Sequence, residues 1–143
     1  MRALLLAGRL LLGAVFVYAS YDKLLHPAQF AEAVANYRLL PSWAVGPAAH
    51  GLPMVELGCG LLLILGLAQP GASLLASLLL TSFGAAIVSA IWRGLDIDCG
   101  CFSAAAERVG LPVLLRDLAL LAVSLAVLWG SLKERAQVKR IVF

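Results

Sequence analysis

Reactive and charged side chains are scarce in this chain. Of its 143 residues only 13% are charged, three are cysteine and two are histidine. So little charge argues against a soluble domain of this length. There is no glycine pattern that would cradle a nucleotide, no internal repeat and no low-complexity tract, which sets aside the dinucleotide-binding, solenoid and disordered classes. The net charge of +3 does not call for a nucleic acid, because the basic residues flank apolar segments.

What fills the chain instead is hydrocarbon. It is 62% hydrophobic, with a mean hydropathy of +0.96. Four apolar stretches, about Leu4–Tyr21, Ala48–Leu67, Ala72–Trp92 and Pro112–Leu132, reach or approach the roughly 20 residues that cross a bilayer. The expected fold is all-α, a single-domain integral membrane four-helix bundle running up and down over residues 1–143. Met1-Arg2 and the run ending Val17-Tyr18-Ala19 also resemble a signal peptide. Arg9 interrupts that run, and cleavage would leave an odd number of spans, so an uncleaved first span is expected.

Between the first two spans, Asp22 to Pro47 is too long for a turn. Pro27 suits a first helical position, and Phe30, Val34 and Tyr37 recur at helical spacing beside Glu32, Asn36 and Arg38. A short amphipathic helix on the membrane surface is expected, ended by Pro41, with Trp43 as an anchor. Ala68-Gln69-Pro70 makes the second and third spans a hairpin. In the third span Ser73, Ser77, Thr81, Ala85 and Ser89 form a small-residue stripe for helix packing.

Ionisable residues inside spans need an explanation. Arg9 either snorkels to an interface or pairs inside the bundle. Glu56 must pair, protonate or face water, and Arg116 on the fourth span is its expected partner. Cys59, one turn deeper than Glu56, reads as a small packing residue, with a resolving thiol as the alternative.

The most distinctive stretch is Asp96-Ile97-Asp98-Cys99-Gly100-Cys101-Phe102. Extended, Cys-x-Cys spans about 7 Å between Cα atoms, just past what a disulfide bridges. Gly100 lets the backbone fold back, so a Cys99–Cys101 bridge is feasible but strained. Such a bridge closes almost no loop and staples little, while strain makes it easier to reduce. The pair therefore reads as working redox chemistry. Asp96 and Asp98 oppose thiolate formation; Arg93, Arg108, Arg116 and the positive end of the fourth helix push the other way.

Four spans put both termini on one side. Arg2, Lys133, Arg135, Lys139 and Arg140 lie there, whereas Lys23, Arg38, Arg93 and Arg108 are spread over long loops with five acids. The positive-inside rule then makes the termini cytoplasmic and the Cys99–Cys101 loop extracytoplasmic, where disulfides persist. The same topology gathers Lys23, Glu56, Cys99, Cys101, Arg116 and Asp117 toward one bundle end.

Arg9, Lys23, Pro53, Glu56, Cys99-Gly100-Cys101-Phe102 and Arg116 together resemble the MauE branch of the DoxX-like membrane proteins. The resemblance covers all four spans; Cys-Gly-Cys-Phe is its most specific part, and Ser103 departs from it where another glycine is usual. It implies a protein of the prokaryotic cytoplasmic membrane tied to extracytoplasmic thiol–disulfide chemistry in methylamine utilisation, where a disulfide-rich amine dehydrogenase subunit matures with help from a thioredoxin-like partner; this chain would exchange electrons with that thioredoxin-like protein or with a disulfide-containing client. Carried over, Cys99 and Cys101 are the redox pair, Arg9, Lys23, Glu56, Arg116 and Asp117 its polar support, and Asp98, Gly100 and Phe102 its loop. DoxX-like relatives further suggest a membrane quinone as electron acceptor, although no quinone pattern is visible in the residues. Two other readings stay open. One is a non-catalytic scaffold that docks a maturation partner on the Phe30–Tyr37 helix and the Phe102 loop. The other is a soft-metal site for copper or mercury, with His50 and Met54 joining the thiols; tetrahedral zinc would need His26 and His50.

Overall fold

A computed structural model describes residues 1–100 and 107–142, the last without its side chain. Among these residues five helices follow in order: α1 (Arg2–Leu25), α2 (Pro27–Asn36), α3 (Ser42–Leu65), α4 (Gln69–Trp92) and α5 (Leu111–Val142). All but α2 are long and apolar enough to cross a membrane, since 24 residues at about 1.5 Å each exceed a hydrocarbon core of about 30 Å. Burial has the sense expected in lipid. Leu4, Leu11, Leu61, Leu74, Leu78 and Leu125 point outward, while Ala72, Ser73, Ala76 and Cys59 fill the interior. The chain is an all-α membrane bundle.

Cross-helix contacts give the topology. Arg9 meets Gly66 and Gly13 meets Gly60 and Ile64, so α1 and α3 are antiparallel. Ser77 Oγ lies 2.9 Å from Ser124 Oγ and Gly84 abuts Asp117, which makes α4 and α5 antiparallel too. Leu5 against Gly130 closes the ring between α1 and α5. The result is the expected up-and-down bundle, with α2 laid across α3 and α1.

Several boundaries differ from the sequence reading, each for a local reason. The helix of the second span starts at Ser42 rather than near Ala48, because Pro41 adopts the extended N-cap conformation and Pro47 and Pro53 are accommodated inside. Consequently Pro41 opens α3 and does not end α2. What stops α2 is Arg38, whose φ of 51° is left-handed. Gln69 and Pro70 belong to the first turn of α4, leaving a turn built on Gly66 at φ 74°. Past Leu132, α5 continues through Lys133, Glu134, Arg135 and Lys139, good helix formers whose late bases suit a helix C-terminus.

The small-residue stripe of α4 holds only in its first half. Ser73 and Ser77 are buried against Ser124, but Thr81 and Ala85 are exposed. Steps of four residues advance about 40° per turn beyond the helical repeat, so the stripe leaves the interface and Leu80, Gly84 and Ile87 take over.

Helices α1 and α3 meet backbone against backbone. A Cβ on Gly60 would sit 2.9 Å from Gly13 O and 3.0 Å from Val17 N, both backbone atoms. Gly60→Ala should therefore destabilise the bundle by about 1–3 kcal/mol, read as a lower thermal midpoint in detergent. Gly58→Ala, on the same helix with nothing within 4 Å of a new Cβ, should not.

Candidate functional site

At the bundle end remote from both termini, four helices converge on one ion pair. Lys23, in the last turn of α1, places Nζ 2.8 Å from both Oε1 and Oε2 of Glu56 on α3. Their side chains are only 4% and 2% exposed. The ammonium also lies 5.0 Å from the ring centroid of Phe30 on α2 and 5.1 Å from that of Phe83 on α4, within cation–π range. A buried charge is tolerated when it is both paired and hydrogen-bonded, and this geometry provides both.

The expected Glu56–Arg116 pair is corrected by this arrangement. Arg116 is one residue from Asp117, about 100° around α5, and it is Asp117 that takes the inward position. Arg116 instead hydrogen-bonds Glu107 beyond the bundle end. It still lines, with Lys23, Glu56, Phe83 and Asp117, an internal chamber of about 40 Å³. Asp117 fits there because Gly84 has no side chain: a Cβ would fall 2.7 Å from Asp117 Oδ2.

Cys99 sits directly above. It is 5% exposed, packed with Ile87 and Val113, and disulfide-bonded. Cys101 and Phe102, the other two residues of the expected motif, lie outside the described residues. Cys99 N–H donates to Glu107 O and Val109 N–H to Ile97 O, both at 2.8 Å, flanking an antiparallel bridge between Asp98 and Arg108. The loop thus leaves and returns through a hydrogen-bonded neck. Gly100 has φ 69°, and a Cβ there would lie 2.7 Å from Ala33 Cβ, so glycine is required for conformation and for close approach to α2.

Tyr37 couples α2 to this loop. Its hydroxyl donates to Cys99 O at 3.0 Å, and its carbonyl accepts from Arg93 at the end of α4. Burial pushes its phenol up to about 12, with the charge of Asp117 adding to the shift. Sequence reasoning placed Phe30 and Tyr37 on an apolar stripe and missed both roles. Aromatic residues at the bundle end were the available signal, but which cation and which carbonyl they meet depends on how α2 folds back.

The electrostatic balance around Cys99 is also resolved in part. Asp96 pairs with Arg108 at 2.9 Å, so one of the two opposing acids is matched locally, and Arg116 is held by Glu107. Asp98 is exposed. Between Cys99 and Lys23 runs an apolar cavity of about 220 Å³, walled by Phe30, Tyr37, Leu52, Phe83 and Ile87.

Three other expectations separate from the site. Arg9 is at the opposite end, about 21 Å from Lys23 along α1, against Gly66; it gives the cysteine loop no support. Cys59 is a free, buried thiol of the main core, donating to Ala72 O at 3.3 Å, as a packing residue should. His50 bonds its own helix at Gly46 O and Met54 is 62% exposed. Among the described residues no three His, Cys, Asp or Glu side chains cluster as metal ligands.

Removing one partner of the buried pair should be costly. Glu56→Ala should lower stability by about 3–5 kcal/mol by leaving an unmatched ammonium, whereas Lys23→Met with Glu56→Leu should recover most of it in thermal unfolding. For Tyr37 the folded pKa is raised, so its contribution is full below the unfolded value near 10 and is lost as pH rises toward about 12. Ultraviolet titration should show one phenol ionising near 12, absent in Tyr37→Phe, and the alkaline fall in stability should shrink with it.

Comparison with known proteins agrees with this architecture. The chain matches the family described as "Methylamine utilisation protein MauE" over residues 1–130. The methylamine utilization protein MauE of Paracoccus denitrificans is 39% identical over 127 residues, 87% of this chain and 68% of the relative. That of Methylophilus methylotrophus is 38% identical over 121 residues, 82% of this chain and 64% of the relative. The chain therefore spans about two thirds of the length of these relatives. No solved structure matches. A family match running from α1 past the middle of α5, with relatives near 39% identity, means that the chain belongs to the MauE family.

Proposed function

We propose that this chain serves methylamine utilisation as a membrane thiol–disulfide redox protein, with Cys99 and Cys101 as its exchanging pair. The observation that carries the reading is a disulfide-bonded Cys99 held at a membrane bundle end beside a lysine-capped apolar cavity. The names of the relatives supply the pathway.

The steps balance as follows. A thiolate of a client dithiol attacks one sulfur of the bridge, forming a mixed disulfide and releasing the other sulfur as thiolate. The second client thiolate then attacks the mixed disulfide. The client leaves oxidised, and Cys99 and Cys101 are left as thiols carrying two electrons and two protons. A quinone would accept both electrons and both protons and so restore the bridge. The cavity fits a flat apolar ring, since Phe30, Phe83 and Tyr37 wall it and Lys23 supplies one cationic end. Within it, Lys23 is held in place by Glu56, and Tyr37 fixes the carbonyl of Cys99. Positive-inside weighting puts this end outside the cytoplasm, where a thioredoxin-like client would meet it.

Cys101→Ser should trap a client on Cys99 as a disulfide-linked adduct, visible on non-reducing gels and dissolved by reductant. Replacing both cysteines with serine should abolish methylamine-dependent growth in cells relying on this chain. Unchanged growth with no adduct would overturn the redox reading. A redox titration of the purified protein, repeated with added ubiquinone, tests the acceptor separately: reoxidation that is no faster with quinone removes it.

A further inference from the structure

The opposite bundle end holds an arginine with no acid to answer it. Arg9 reaches across to the α3–α4 turn, where a Cβ on Gly66 would lie 2.8 Å from Arg9 Nη1 and 3.3 Å from Gln69 Nε2. Two donor side chains therefore meet against this glycine, with no room for a Cβ between them. Arg9 Nε is buried and has no hydrogen-bond partner among the described residues, and none of the ion pairs found there involves Arg9. An orphaned guanidinium donor is costly at the edge of a bilayer, and a bound anion would satisfy it.

The surroundings specify one. A cavity of about 240 Å³ is lined by Arg2, Arg9, Gln69, Ser131 and Glu134. Helix α4 begins at this spot with no side-chain cap and no acid in its first turn, so its free N–H groups and positive dipole end add to the field. Glu134 lies 3.8 Å from the Nε of Arg2, which offsets the one carboxylate of the cavity. Arg135 and Lys139 lie along the adjoining groove. Forked guanidinium donors, an amide and a helix N-terminus are the chemistry that grips a phosphate. The remaining walls are apolar, Leu5, Leu6 and Val127, and a neighbouring groove between α1 and α5 continues over Leu4 and Trp129, where an acyl chain can lie.

We propose that Arg9, with Arg2, Gln69 and the N-terminus of α4, forms a phosphate site that holds an anionic phospholipid headgroup at the end of the bundle opposite Cys99. A lipid bound there tethers α1, α5 and the α3–α4 turn together. The site is independent of the redox reading and stands whether or not the cysteines exchange.

The full chain, purified in detergent, tests this by native mass spectrometry and thermal unfolding with added phosphatidylglycerol, phosphatidylcholine or inorganic phosphate. Phosphatidylglycerol should stay bound and raise the midpoint more than phosphatidylcholine does. Arg9→Gln should bind it about tenfold more weakly, the scale of losing a charge-assisted donor, while Arg140→Gln, at the same end but outside the cavity, should not. Should Arg9→Gln fail to fold, Arg2→Gln carries the same readout, because that side chain is 90% exposed and dispensable for packing. Equal binding by wild type, Arg9→Gln and Arg2→Gln, or an equal loss in Arg140→Gln, would overturn the site. Stabilisation by inorganic phosphate with the same Arg9 dependence, and none by lipid, would overturn the lipid and leave a free phosphate as its ligand.

Discussion

The bundle end is organised by one constraint: an ammonium placed inside a membrane protein must be satisfied on every side. Lys23 meets it with two carboxylate oxygens from α3 and two aromatic faces from α2 and α4. In lipid there is little hydrophobic gain from bringing apolar helices together, so packing and polar contacts choose the neighbours. The pair fixes α1 on α3 at one level, and Gly13 against Gly60 fixes it again, ten residues back along α1 and four on along α3. Two such points set both the register and the separation of the helices. Phe30 then draws α2 down onto the pair, and Tyr37 on the same face reaches the carbonyl of Cys99. The loop is thus positioned, through α2, by a charge buried beneath it.

Four spans, their antiparallel order and the surface helix were legible in the residues, because bilayer thickness imposes run length and Pro27 marks a helix start. The grouping of Lys23, Glu56, Asp117 and Cys99 was legible as well, since an up-and-down chain must return them to one end. The partner of Glu56 was not. Arg116 and Lys23 are both at the right level, and only the rotation of α5, set by Asp117 entering the space at Gly84, turns Arg116 outward. Helix ends were misjudged wherever hydropathy stops before hydrogen bonding does. Helix α5 runs on past the membrane through charged residues, and α3 begins before its apolar run.

Arg9 and Lys23 show how depth alone misleads. Both are cations on α1, Arg9 inside its apolar run and Lys23 just past the end of it, and both were read as support for the same cysteine loop. Lys23 has a carboxylate facing it across a close helix contact. Arg9 faces the glycine of a turn, with the nearest acid of its cavity already beside Arg2. One charge is satisfied within the fold and the other is directed to the membrane boundary, so the two ends of the bundle have opposite electrostatic character.

Cys99 is only 5% exposed, which bears on how anything could reach its sulfur. It is enclosed by Ile87 and Val113 from α4 and α5, and Gly100 beside it is pressed onto Ala33 of α2. The transmembrane helices are locked by the ion pair and by the glycine contacts. By contrast α2 has ten residues, too few for a stable helix alone, and is held by Phe30, Ala33 and Tyr37. Lifting α2 would break the Tyr37 hydrogen bond to the Cys99 carbonyl and remove the Phe30 ring from Lys23. The buried charge and the disulfide are covered by the same short helix, and a partner able to lift it would meet both.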